Sequence, residues 1–156
     1  DAETVALDTV IFYEIDATKL KSLSDSVLIA YVWAPWCKPC IEKLPELVKY
    51  QKESNLVFVG LDYNYPAMIR ILKRNGFSGN TYIIDHEHYG NKVWQKLELF
   101  RDDLLGESNE SLGSAVPSIY VLKEESVVYY KPGNLEIAEL DSIYQKARGL
   151  NKEHFK

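Results

Sequence analysis

Two closely spaced cysteines are the residues of this chain with the clearest chemical potential. Cys37 and Cys40 are its only cysteines, and they stand in the run WAPWCKPC at residues 33–40, between an apolar stretch and a helical pattern. A helix that begins here places Cys37 at its N-terminus, where unpaired N–H groups and the helix dipole favour a thiolate. Cys40 falls on the same helical face, one turn on, so the sulfurs can meet. Such a pair is the minimum apparatus for thiol–disulfide exchange.

Three other roles for the pair are open but less favoured. A structural disulfide gains most from closing a long loop, and a two-residue spacer closes a very short one. A structural zinc site needs four ligands, and His86 and His88, two positions apart, do not complete a standard set. Two inert buried thiols would not account for the tryptophans and prolines that surround them. The sequence therefore favours a redox role and predicts no metal site.

Length and composition predict an ordinary globular chain. Its 156 residues are 46% hydrophobic and 26% charged, which fits a single domain with a substantial core. The net charge of -5 argues against nucleic acid as a partner, and we expect a monomer. No apolar run approaches the roughly 20 residues that span a bilayer. The first residue is Asp1 rather than methionine, so either a removed signal or anchor segment or a trimmed start is expected.

The apolar pattern predicts strands that alternate with helices. A continuously apolar stretch at 27–33 is typical of a central parallel strand buried on both faces. In the helix after the cysteines, Pro39 suits the first turn, whereas Pro45 lies in the interior and is expected to bend it. Asp16 and Asn134 are predicted to cap the first and last helices. Strands are predicted at 10–13, 27–33, 56–61, 81–84, 118–122 and 127–130, with helices at 17–23, 66–75 and 91–105 and two more after Cys40 and Asn134. This order indicates an α/β fold with one antiparallel edge.

The motif and the element order together resemble the thioredoxin fold. Within that superfamily the chain is most similar to the TlpA-like extracytoplasmic thiol–disulfide oxidoreductases, whose usual additions match residues 12–23, an N-terminal strand and helix, and about 80–113, an insertion. The matching positions are the Trp-x-x-Trp-Cys-x-x-Cys motif, the proline inside the helix, the proline before a strand that the family holds in cis, and the glycine after the last hairpin: Trp33, Trp36, Cys37, Cys40, Pro45, Pro117 and Gly133.

The resemblance implies a mechanism without a metal or organic cofactor. Cys37 would attack a partner disulfide and Cys40 would resolve the mixed disulfide. A cis bond before Pro117 would turn the backbone of Val116 outward, where an extended partner can pair with it. Pro35 and Trp36 would form an apolar rim around the reactive sulfur, completing the expected set of site residues.

Partners and direction also follow from the resemblance. The expected partners are disulfide-containing exported proteins that the chain reduces, with a membrane-bound thiol donor restoring its own thiols outside the cytoplasm. The alternatives are a disulfide oxidase or isomerase on the same scaffold, or a non-catalytic binding module that keeps an inert disulfide.

The chain departs from the family pattern at two positions. Thioredoxins carry a buried aspartate where this chain has Tyr31, whose ordinary pKa of about 10 makes it a poor base, so a core role with a hydrogen-bonded hydroxyl is predicted. Asp85 or Glu87, from the insertion, is a candidate base instead. Lys38 stands between the cysteines where an acidic residue is common. Its charge favours the Cys37 thiolate, but one pKa unit corresponds to only about 30 mV, too little to decide direction.

Two tryptophans outside the cysteine pair are interpreted structurally. Trp33 is assigned equally to the core and to the rim of the site. Trp94 belongs to a helical stripe that is interpreted as the core of the insertion rather than a binding groove. The stripe consists of Val93, Trp94, Leu97, Phe100 and Leu104.

Overall fold

A six-stranded mixed sheet flanked by helices forms the framework. The computed structural model describes residues 9–106 and 114–149, so residues 107–113 at the end of the predicted insertion lie outside the described part. The strands are β1 (Val10–Ile15), β2 (Leu28–Trp33), β3 (Leu56–Gly60), β4 (Gly79–Ile84), β5 (Ser118–Lys123) and β6 (Ser126–Pro132). The helices within those residues are α1 (Ala17–Ser22), α2 (Lys38–Gln51), α3 (Tyr65–Arg74), α4 (His86–Tyr89), α5 (Val93–Leu105) and α6 (Ile137–Ala147).

The strand order is β1-β4-β3-β2-β5-β6, with β2 near the centre. The first four strands are parallel, whereas β5 and β6 run antiparallel to their neighbours, as predicted. Trp33 at the end of β2 is level with Gly60, and Val32 is level with Ser118 at the start of β5. The end of β2 therefore lies between the end of β3 and the beginning of β5, where the chain segments after β2 and before β5 meet.

Strand β2 is the centre of the core. All six of its residues are buried, which confirms the prediction of a strand covered on both faces. Helix α2 buries Leu44, Leu47 and Val48 and contains Pro39 in its first turn and Pro45 in its interior, as predicted. Asp16 caps α1 by accepting a hydrogen bond from the Lys19 amide at 2.8 Å. In the described residues no helix is both long enough and apolar enough to cross a bilayer.

The insertion differs from its prediction in two respects. A four-residue helix, α4, follows β4 directly, and such a short helix leaves no periodic pattern to read. In α5 the stripe buries Leu97, Phe100 and Leu104, but Trp94 is 52% exposed. The interpretation of Trp94 as insertion core is therefore wrong. Successive residues of a helix are about 100° apart, which places Trp94 near the margin of the buried face rather than at its centre.

Candidate active site

Cys37 and Cys40 form a disulfide at the N-terminus of α2. Their Cα atoms are 5.3 Å apart, and Cys37 occupies the capping position, where its sulfur accepts the Cys40 amide at 3.2 Å. The Cys37 amide donates to the Ala34 carbonyl at 3.1 Å, which closes the turn between β2 and α2. The sulfurs meet as the sequence predicts. A thiolate at Cys37 would lie where the backbone N–H groups of the first turn converge.

The two sulfurs differ in accessibility. Cys40 is completely buried, whereas Cys37 retains 4% exposure. The segment before β5 lies against Cys37: its sulfur is 3.5 Å from the Val116 carbonyl oxygen. The Val116–Pro117 bond is cis, the isomer that the resemblance implies, with Pro117 buried and Val116 half-buried. An approaching polypeptide therefore reaches Cys37 first, beside an edge of backbone at Val116.

A hydrogen-bond chain connects the core to the first turn of α2, between the cysteines. Tyr31 is 1% exposed, and its hydroxyl donates to Asn134 Oδ1 at 2.9 Å. Asn134 Nδ2 in turn donates to the Pro39 carbonyl at 3.1 Å. Burial raises the pKa of Tyr31 above its ordinary value, so the hydroxyl stays protonated. The predicted core role of Tyr31 is confirmed.

The predicted role of Asn134 is wrong. Helix α6 begins at Ile137 with Glu136 as its cap, so Asn134 lies outside the helix and uses its side chain on the site. A capping residue and a tertiary bridge look alike in sequence, since both are polar residues just before an apolar period. The nearby Gly133, with a φ of +102° and an amide that donates to the Pro117 carbonyl at 2.7 Å, is the local sign that this loop turns towards the site.

Two indole rings form the exposed border of the site. Trp36 is 49% exposed, and its Nε1 donates to Asp62 Oδ2 at 3.0 Å. Its ring meets that of Trp94 edge to face, with centroids 5.8 Å apart and an interplanar angle of 66°. Pro35 is half-buried next to Trp36, whereas Trp33 is completely buried and so belongs to the core.

At this border the sequence analysis missed Asp62 and assigned Trp94 to the core. A usable signal existed for Asp62: it follows the end of β3, and the carboxyl ends of neighbouring parallel strands share one edge of a sheet. The amide of Leu61 donates to the Trp33 carbonyl at 2.9 Å, which keeps the two strand ends together.

A buried lysine supports the same border. Lys96 is 2% exposed, and its Nζ lies 4.7 Å from the ring centroid of Tyr63. Burial lowers the pKa of Lys96, and the charge of Asp62 partly opposes that change. Tyr63 is itself held, because its hydroxyl donates to the Ile84 carbonyl at 2.9 Å. The first two turns of α5 are thereby attached to the ends of β3 and β4.

The remaining candidates are one residue at the cysteines and two residues after β4. Lys38 directly follows Cys37 and is exposed on the first turn of α2. Asp85 caps α4 by accepting the Glu87 amide at 2.9 Å, and Glu87 is exposed. Both follow β4, two strands from β2, which corresponds to a lateral distance of about 10 Å. The carboxylate bonded to the rim of the site is Asp62 instead, so the idea of Asp85 or Glu87 folding over the cysteines receives no support from their contacts.

One cluster in the described residues has the chemistry of a cation site. Glu14, Asp85 and His86 offer ligand atoms that lie within 4.8 Å of one another, at the edge formed by β1 and β4. Glu14 is exposed and the other two are half-buried. His86 Nδ1 lies 3.8 Å from Glu14 Oε1, beyond hydrogen-bond distance.

Comparison with solved structures identifies the architecture. A thiol:disulfide interchange protein of the thioredoxin family from Chlorobium tepidum superposes with a TM-score of 0.60 at 20% identity, over 82% of this chain and 83% of that one. Mycobacterium tuberculosis DsbF superposes with a TM-score of 0.54 at 21% identity, over 84% of this chain and 85% of that one. A DsbF homologue from Corynebacterium diphtheriae superposes with a TM-score of 0.55 at 19% identity, over 81% of this chain and 75% of that one. The chain has the thioredoxin fold.

No protein-family model and no curated protein matches this sequence. The thioredoxin fold is therefore established by structure, and the role of its cysteines is argued from their geometry. In this fold the end of β2, the start of α2 and the segment before β5 surround the disulfide, which agrees with the placement expected from the resemblance.

Proposed function

We propose that this chain catalyses thiol–disulfide exchange with polypeptide partners through Cys37 and Cys40. The observation that carries the proposal is the disulfide itself: it caps a helix, with Cys40 completely buried and Cys37 4% exposed beside the Val116 carbonyl. A purely structural disulfide with this short spacer would stabilise little, because the loop that it closes is small.

The exchange proceeds in two steps. The Cys37 thiolate attacks one sulfur of a partner disulfide, a Cys37–partner disulfide forms, and the other partner sulfur leaves as a thiolate. Cys40 then loses its proton and attacks the Cys37 sulfur, which forms the internal disulfide and releases the second partner thiolate. The partner gains two electrons and two protons, and a dithiol donor returns Cys37 and Cys40 to thiols by the reverse exchange.

The partner site is proposed to consist of Pro35, Trp36, Val116 and Pro117. Val116 is half-buried and stands two residues before β5, so an extended segment can pair with its backbone while a partner sulfur faces Cys37. Trp36 and Pro35 offer an apolar surface next to that sulfur. Apolar and backbone contacts of this kind suit extended or unfolded polypeptides rather than one fixed surface.

We further propose that the chain acts as a reductase outside the cytoplasm, with a membrane-bound thiol donor. Support comes from the neighbours: one similar structure, with a TM-score of 0.52 at 16% identity over 76% of this chain and 80% of that one, is described as a secreted Mycobacterium tuberculosis disulfide oxidoreductase. A reduction potential close to about -270 mV would support a reductase, and one close to about -120 mV an oxidase.

A Cys40→Ser variant tests the proposed chemistry. Without the resolving thiol, the mixed disulfide should accumulate, so the variant incubated with insulin is expected to give a covalent adduct through Cys37 on non-reducing gels and by mass spectrometry. Cys37→Ser is the matched control, because it keeps one thiol but places it in a completely buried position. If Cys40→Ser is folded by circular dichroism and forms no adduct with any disulfide substrate, the chain is a binding module with an inert disulfide.

A further inference from the structure

Trp94 places a large apolar ring at the surface next to the disulfide. It is the second residue of α5 and is 52% exposed, although an indole gains most when its area of roughly 150–250 Å² is buried. Trp36, in contact with it, is 49% exposed. Single exposed hydrophobic residues are ordinary, but two adjoining indoles make a continuous apolar surface next to the disulfide, a candidate for contact with a partner.

The surface of these two rings, the indole pair, is held in place from below. The Trp36 ring is oriented by its hydrogen bond to Asp62. Helix α5 is anchored by Lys96, buried against Tyr63, and by Leu97, which is 2% exposed. A surface that is already ordered loses little conformational entropy when it binds, which favours a recognition role.

The indole pair is also close to the reacting sulfur. Trp36 immediately precedes Cys37, so their Cα atoms are about 3.8 Å apart, and the Trp94 ring follows at 5.8 Å from the Trp36 ring. An extended partner advances about 3.3 Å per residue. A partner cysteine at Cys37 therefore brings residues one to three positions away onto the pair.

The chemistry of the border favours an apolar side chain. The carboxylate of Asp62 accepts the Trp36 N–H and faces the charge of Lys96, so it is already matched within the protein. The rings themselves present faces and edges that stack with aromatic and aliphatic groups. Binding through two indoles is typical of interface residues that dominate the binding energy.

We propose that Trp94 is a specificity-determining residue, which selects partner segments carrying an aromatic or large aliphatic side chain within three residues of their disulfide cysteine. The proposal rests on the proposed exchange activity and names the partner feature that the site recognises. Because Trp94 comes from the insertion rather than from β2, α2 or β5, it adds a contact that the cysteine-bearing elements do not supply.

The test compares two short peptides, each carrying its cysteine as a mixed disulfide with glutathione. One has phenylalanine two residues before and two residues after the cysteine, and the other has glycine at both positions. The second-order rate constant for oxidation of the reduced protein is measured by acid quench and chromatography, with hydroxyethyl disulfide as a small reference substrate. We expect the wild-type protein to prefer the phenylalanine peptide about tenfold, and Trp94→Ala to reduce that ratio to near one.

Leu99→Ala is the matched control. Leu99 is 43% exposed on the same helix, but it lies about 140° around the axis from Trp94, so its variant should keep the wild-type ratio. Trp94→Phe should retain most of the preference. A wild-type protein without preference, an unchanged ratio in Trp94→Ala, or an equal loss in Leu99→Ala would overturn the proposal.

Two further outcomes are distinguishable. If neither peptide nor hydroxyethyl disulfide oxidises the reduced wild-type protein, the exchange activity itself is refuted, and the inference with it. A wild-type dimer that Trp94→Ala converts to a monomer, with equal peptide ratios in both proteins, would assign the indole pair to self-association and overturn the proposal.

Discussion

Replacing Asn134 by alanine should reveal how strongly the core supports the first turn of α2, which holds the cysteines. Within the described residues, Asn134 is the middle member of a hydrogen-bond chain. It accepts from the Tyr31 hydroxyl and donates to the Pro39 carbonyl. The substitution removes both bonds and leaves a phenolic hydroxyl inside the protein without its acceptor. We expect a lower free energy of unfolding for the disulfide form.

The two bonds contribute unequally. Tyr31 is 1% exposed, so its orphaned hydroxyl should cost about 1–3 kcal/mol. The bond to Pro39 is at an exposed position where water can replace Asn134, and its loss should cost only about 0.5 kcal/mol. The expected total for Asn134→Ala is about 2 kcal/mol. In a chain of this length that corresponds to a Tm lower by roughly 4–8 °C.

A double-mutant cycle with Tyr31→Phe isolates the buried bond. Tyr31→Phe removes the hydroxyl together with its need for a partner, and the Asn134 amide can turn to water, so the single variant should lose about 1 kcal/mol. In that background Asn134→Ala should cost clearly less than in the wild type, with a coupling free energy of about 1.5 kcal/mol. Urea unfolding of all four oxidised proteins, monitored by circular dichroism, provides the measurement.

A second tyrosine serves as the control. Tyr50 donates to Asp141 at 3.0 Å and, within the described residues, shares no hydrogen-bond partner with Asn134. Tyr50→Phe and Asn134→Ala should therefore be additive within about 0.5 kcal/mol. A Tyr31–Asn134 coupling no larger than this control would refute the reasoning, because the buried hydroxyl would then not depend on its acceptor.

Two further predictions concern charge. Cys37 of the reduced protein should titrate below the ordinary thiol pKa of about 8.5, because its thiolate would accept first-turn N–H groups; the pH dependence of its alkylation by iodoacetamide measures this, and a midpoint at or above that value contradicts it. Lys96→Met should raise the free energy of unfolding by about 1 kcal/mol at pH 7, since a buried ammonium is replaced by an apolar chain of similar size. Because burial lowers the pKa of Lys96, this side chain binds its proton more tightly in the unfolded chain than in the folded one. The free energy of unfolding of the wild type therefore rises with pH between the lowered pKa and the ordinary lysine pKa of about 10.4. The advantage of Lys96→Met should shrink in that pH range. Urea curves at pH 7 and pH 9.5 test both statements, and a gain that grows with pH would show the sign to be wrong.

The geometry of the cysteine pair was predictable because every signal for it is local. The continuous apolar run of β2, the Pro39 that suits a first helical turn and the spacing of Cys37 and Cys40 are all contained in about 13 consecutive residues. The solvent-excluded strand fixes where the helix begins, and the helix period then fixes which side the second sulfur faces. Tyr31 was assigned correctly for the same reason, since a residue inside such a strand is buried whatever its partners are.

The border of the site was not predictable in the same way, because it depends on contacts between distant segments. Trp94 and Leu97 are three positions apart, and helical periodicity assigns both to one face. Trp94 is nevertheless exposed, whereas Leu97 is buried. Lys96 packs on Tyr63, a residue 33 positions earlier, and this contact helps to fix which side of α5 faces inward. Asn134 likewise acts on Pro39, which lies 95 positions away. Helical periodicity and capping preferences contain no information about either pair.

The burial of Lys96 is evidence that the position of α5 matters. A lysine in the interior destabilises a protein unless its charge is well compensated, and here the compensation consists of one aromatic face and the field of Asp62. An apolar residue would hold the helix against the sheet at lower cost, but it would not match the carboxylate that orients Trp36. The charge of Lys96 therefore interacts with the carboxylate that accepts the Trp36 N–H, an effect that an apolar residue would not have. Partner choice would then be set by α5 and the exchange chemistry by α2, so that selectivity can change without altering the reactive sulfur.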